Sequence, residues 1–81
     1  MLLQDEASRK AELAQKQSAL SAAKRRMDEL DKIIQRLYED AVLGRLSEAR
    51  YVKLSAQYEA EQAEIQQLSA ALEQEISRGT E

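Results

Sequence analysis

Two periodic stretches of apolar residues, separated by a short interruption, dominate this chain. In the first, Leu20, Met27, Ile34 and Ala41 share one position of a seven-residue repeat, and Ala23, Leu30 and Leu37 share the other; Leu13 extends the series toward the N-terminus. In the second, Tyr51, Tyr58, Ile65 and Leu72 alternate with Leu54 and Leu68. Spacings of three and four sustained over several repeats predict a coiled-coil seam rather than a strand. No stretch alternates with a period of two long enough to suggest a sheet. The expected elements are a first helix over about 3–43, a turn at 44–47 and a second helix over about 48–77.

The interruption carries its own signals. Gly44 stands where a helix C-terminus favours a residue that takes positive φ without a Cβ clash. Ser47 follows as an N-cap, with Glu48 well placed in the first turn of the next helix. Leu46 before the cap and Tyr51 four residues after it have the spacing of a hydrophobic staple, which sets the entry angle of the second helix. A lone glycine inside one continuous bent helix would cost only ~1 kcal/mol. Stop, cap and staple within so few residues favour a chain reversal instead.

A short connection makes the two helices antiparallel neighbours. The fold class expected is therefore all-α, an antiparallel two-helix coiled-coil hairpin. Folding the pattern about Gly44 pairs Leu37 with Tyr51, Ile34 with Leu54, Leu30 with Tyr58, Ala23 with Ile65, and Leu20 with Leu68. In that register Asp40 faces Arg50 and Arg26 faces Glu64, while Met27 meets Glu61 and Lys16 meets Leu72. Lys16 is expected to lay its stem along the seam and keep its ammonium in water. About ten N-terminal residues overhang the shorter helix. Ile33, Val42, Leu43 and Ile76 fall off the seam, so a third element or a second hairpin, completing a four-helix bundle, is expected to cover them.

Composition narrows the chemistry. The chain has 81 residues, 33% of them charged and 4% aromatic, with no Trp, Phe, Pro, Cys or His. That is the profile of long helices. Without histidine there is no Ser-His catalysis and no imidazole metal ligand. Without cysteine there is no disulfide or thiolate site. The expected catalytic, cofactor-binding and metal residues are none. Glu59, Glu61 and Glu64 could act as acid and base only in a water-excluding pocket, which two helices do not offer. No apolar run approaches a membrane span, and the N-terminus lacks the pattern of a signal peptide; a cytoplasmic location is expected.

Net charge is −3, with eight acids and eight bases in residues 1–44 but seven acids and four bases in residues 45–81. The one basic run, Lys24-Arg25-Arg26, is soon followed by Asp28, Glu29 and Asp31. A solvated, mixed-charge helix face explains it better than a phosphate-binding stripe.

Residues 30–65, LDKIIQRLYEDAVLGRLSEARYVKLSAQYEAEQAEI, also resemble the coiled-coil segment of large serine recombinases. The matching blocks are Leu-Tyr-Glu-Asp at 37–40, Gly-Arg-Leu-Ser at 44–47, Arg50 with aromatic Tyr51, and Tyr-Glu-Ala-Glu-Gln at 58–62. Ala41 and Ala49 depart from the pattern, where polar residues are common; both suit a helix. The resemblance implies an internal segment of a longer protein, with Met1 at the start of an excised piece. In that family a separate catalytic domain attacks DNA through a serine, and other domains, one a zinc ribbon, bind the attachment site. The coiled coil contacts that of another subunit and controls synapsis. By this resemblance the fragment is a non-catalytic, oligomer-forming interaction module, and DNA is held by other domains of the parent.

The expected contact surface is the tip, Val42, Leu43, Arg45, Leu46 and Tyr51, around the structural turn Gly44 and Ser47. The competing reading of Leu46 and Tyr51 is internal: they complete the staple and nothing more. Two other readings compete: a free-standing coiled-coil adaptor for an unrelated protein partner, and a nucleic-acid-binding arm built on Lys24, Arg25 and Arg26. The second predicts affinity that falls steeply with salt.

Overall fold

The computed structural model describes residues 2–80. Two helices account for nearly all of them, α1 over Leu2–Val42 and α2 over Glu48–Thr80. They pack against one another as a hairpin, with extents of 63 × 16 × 14 Å. At 1.5 Å per residue, the 41 residues of α1 span about 60 Å, the length of the whole rod. The first helix ends one residue earlier than the expected boundary, and the second runs three residues further.

Backbone hydrogen bonds explain the reversal. Gly44 has φ +78°, and its N–H donates to the Ala41 carbonyl at 3.2 Å. The Arg45 N–H donates to the Asp40 carbonyl at 2.8 Å. This pair of bonds is a Schellman motif, which satisfies carbonyls that the helix end leaves unpaired. On the far side of the turn, Ser47 Oγ accepts from the Arg50 N–H at 3.2 Å, and the Ser47 carbonyl accepts from the Tyr51 N–H at 2.9 Å. Ser47 is therefore the N-cap of α2. Leu46 and Tyr51 are both half-buried beside it. The Tyr38 and Tyr51 rings meet in an edge-type arrangement, inclined by 60° with centroids 6.4 Å apart.

The seam of α1 follows the sequence pattern: Leu13, Leu20, Ala23, Met27, Leu30, Ile34, Leu37 and Ala41 are buried or half-buried. The seam of α2 does not. Tyr51, Tyr58, Ile65 and Leu72 point inward, but the alternating positions are Ser55, Gln62, Ser69 and Ile76, with Leu68 left 53% exposed. Leu54 stays half-buried at the flank.

The cross-helix contacts show why. Leu13 lies against Gly79, where a Cβ would come within 3.6 Å of its Cδ1; Lys16 pairs with Glu75, and Asp31 accepts from Gln62. Two flanking ion pairs, Arg26–Glu61 and Lys24–Glu73, straddle this alignment about equally in opposite directions. Where the helices overlap, α1 thus faces positions about four residues further along α2 than the folded pattern predicts. Leu20 comes level with Leu72, Ala23 with Ser69, Met27 with Ile65, Leu30 with Gln62, Ile34 with Tyr58, and Ala41 with Tyr51. The pairings Leu37–Tyr51, Ile34–Leu54, Leu30–Tyr58, Ala23–Ile65 and Leu20–Leu68 are corrected accordingly.

The turn is the physical cause. The expected register would put Leu43 opposite Arg45 and leave Gly44 alone to cross between axes 8–10 Å apart. Five residues, 43–47, make the crossing instead. Ile76 joins the seam as a consequence. Lys16 is half-buried at its level, with the ammonium reaching the Glu75 carboxylate at 3.8 Å. Arg26 pairs with Glu61 rather than Glu64, and no ion pair joins Asp40 to Arg50 among the described residues. The overhang of α1 beyond α2 remains about ten residues.

Arg26 is the best-tied side chain of the hairpin. Its Nε donates to Glu61 at 2.7 Å, one guanidinium nitrogen donates to the other Glu61 oxygen at 3.2 Å, and another donates to Glu29 at 3.1 Å. The hydrogen bond from Arg26 holds the Glu61 carboxyl below its ordinary range, against a smaller opposing effect of desolvation. Arg26 is raised in turn, first by Glu61 and then by Glu29. Because the folded Glu61 titrates lower than the unfolded one, its contribution is complete above the ordinary glutamate range and is lost as pH falls through the folded value. Melting curves of the parent chain and Glu61→Gln should therefore converge on acidification. A gap between them that stays constant from neutral to acid pH would show that this pair does not stabilise the hairpin.

Candidate interaction surface

The tip of the rod concentrates exposed apolar area. Val42 is 67% exposed, Leu43 66%, Tyr38 58% and Val52 58%. Tyr38 and Val42 stand one helical turn apart on one face of α1, and with Glu39 and Leu43 they line a shallow apolar depression. Such residues are costly to leave in water, and a cluster at the end of a rod marks a contact surface more often than scattered exposure does.

Among the expected tip residues, Val42, Leu43 and Arg45 are exposed. Leu46 and Tyr51 are half-buried and serve the turn, as the staple requires. The structure adds Tyr38 and Val52, which the pattern did not single out. Tyr38 follows the seam residue Leu37, and its spacing of four from Val42 is the signal in the sequence that could have found it. Val52 follows Tyr51 in the same way.

Two cations of the basic run are already engaged. Lys24 lies 3.7 Å from Glu73, and Arg26 is held by Glu61 and Glu29. A phosphate would have to compete with these carboxylates, so the run does not offer a free stripe. At the open end of the hairpin, Arg9, Lys16 and Glu75 line two depressions, one completed by Glu12 and the other by Arg78, again with signs interspersed.

Among the described residues, no group of three or more acids is placed to hold a metal ion. No described helix is long and apolar enough to cross a membrane. No protein-family model, no curated protein and no solved structure matches the chain.

Proposed function

We propose that this hairpin is a non-catalytic protein–protein interaction module, and that its tip meets the coiled coil of another subunit of a large serine recombinase during synapsis. The observation that carries the interaction reading is the exposed cluster of Tyr38, Val42, Leu43 and Val52 at the end of a rod about four times longer than it is wide. A lever of this length moves its apolar end far from the body that bears it, which suits contact between subunits. The contact is small and flanked by charges from Glu39 and Arg45, as a reversible association needs. The recombinase part rests on the resemblance of residues 30–65 alone.

Two measurements test the two parts separately. The reading frame that contains this segment is expected to encode a resolvase-type catalytic domain and a cysteine-bearing zinc ribbon upstream. A frame that opens at Met1 overturns the recombinase reading and leaves a coiled-coil adaptor. In the full recombinase, Val42→Glu combined with Leu43→Glu should reduce synaptic complexes by about tenfold or more, a loss of about 1.4 kcal/mol or above. Binding to a single attachment site should be unchanged, because both side chains lie outside the seam. Unimpaired synapsis would remove the tip from the mechanism.

A further inference from the structure

Two apolar spots lie open on this rod, and they sit in fields of opposite sign. Among the described residues, the large apolar side chains left exposed are Tyr38, Val42, Leu43 and Val52 at the tip and Leu68 on α2. Residues 42–53 hold Arg45, Arg50 and Lys53 against one acid, Glu48, a net charge of +2. Residues 54–77 hold five glutamates and no base, a net charge of −5. Along α1 the signs balance, with eight acids and eight bases between residues 2 and 41. From Lys53 to Leu68 the helix rises about 22 Å, more than twice the screening length of about 8 Å at physiological salt. The two spots are therefore electrostatically separate.

The charges beside each spot are available. Arg45, Arg50 and Lys53 are exposed and belong to no ion pair among the described residues. Glu64 lies one helical turn from Leu68 on the same face of α2; it too is exposed and outside those ion pairs. Glu61 and Glu75, seven residues to either side of Leu68, are held by Arg26 and Lys16. Glu64 is thus the carboxylate left to answer a cation at this leucine.

We infer that the tip of one copy seats on the α2 flank of another, with Leu43 against Leu68 and Arg45 beside Glu64. The inference rests on the tip being the contact surface, as proposed above, and names where on the second coiled coil it lands. Charge decides between the two landing places that expose apolar side chains. A second tip would set +2 against +2, whereas the flank sets +2 against −5. The chain cannot satisfy itself, because α2 runs unbroken over Glu48–Thr80 and keeps its own tip away from its own flank. The contact joins two unlike surfaces, so it is heterologous, and each copy offers one of each. Its few apolar side chains make it weak and reversible.

Sedimentation equilibrium of the 81-residue chain should show association at high micromolar concentration that weakens as salt is raised. Leu43→Glu and Leu68→Glu should each weaken it about tenfold or more, while far-ultraviolet circular dichroism retains the helical signal. An equimolar mixture of the two variants should associate again, because one keeps its flank and the other its tip. Arg45→Glu should weaken association to a similar degree, and adding Glu64→Arg to the same chain should restore it. A monomer at every concentration, a mixture no more associated than its components, or a loss that Glu64→Arg does not repair overturns the docking site. Self-association of Leu68→Glu at the parent strength would assign the contact to two tips instead. In the full recombinase, synapsis lost with the tip pair Val42→Glu and Leu43→Glu but kept with Leu68→Glu would overturn this landing place and leave the tip reading standing; synapsis kept with both would remove the two together.

Discussion

The Leu30→Ala chain is expected to lose its cooperative thermal transition near room temperature. Leu30 is the only large side chain that is fully buried among the described residues, at 0% exposure, and the rest of the buried core is Ala23 and Leu72. Leucine-to-alanine changes at such sites cost about 2–5 kcal/mol, the range depending on how far the surroundings collapse into the space. A two-helix rod collapses more readily than a globular core, which argues for the lower half of that range. Yet the whole stability of so small a core is only about 3–5 kcal/mol, so even the lower half leaves most of the chain unfolded. Circular dichroism against temperature checks this directly. A melting temperature within a few degrees of the parent would mean that the central layer contributes far less than its burial implies.

The second large effect separates two leucines one turn apart. Leu72→Ala should destabilise by about 2–3 kcal/mol and Leu68→Ala by less than about 1 kcal/mol, provided both are measured at dilution where the chain is monomeric. Leu72 is 8% exposed and Leu68 is 53% exposed. The heptad pattern alone put both on the seam, and the alternative register, with Leu20 opposite Leu68, would make the two losses comparable. Urea titrations of the two variants therefore report the alignment of the helices as well as local burial. Equal losses would restore the register that the folded pattern predicts.

This contrast also shows where reading the chain succeeded. The seam residues of α1 were legible, because an uninterrupted run of threes and fours from Leu20 to Ala41, extended by Leu13 one heptad earlier, admits only one inward stripe. The turn was legible from Gly44 and Ser47, because positive φ and N-capping are local demands that few residues meet. In α2 the pattern is thinner: Ser55, Gln62 and Ser69 occupy seam positions in the structure, and none of them announces itself as core. Leu54 and Leu68 offer a more apolar series, so the pattern alone turns them inward. The tip was legible for Val42 and Leu43, whose positions off the seam left nothing in the hairpin to bury them. Tyr38 and Val52 needed the packed structure, since only the placement of Tyr51 shows that the neighbouring apolar side chains remain outside.

The sequence by itself determined that this protein is all-helical, that it reverses between Val42 and Glu48, and which stripe of α1 turns inward. Those properties follow from local periodicity and from backbone preferences at single residues. Only the tertiary structure decided the register, the inward stripe of α2, the partners of Arg26 and the apolar surface left at the tip. A five-residue turn sets the relative height of two helices, and a shift of one turn exchanges the residues that meet without changing the periodicity of either strand of the pattern.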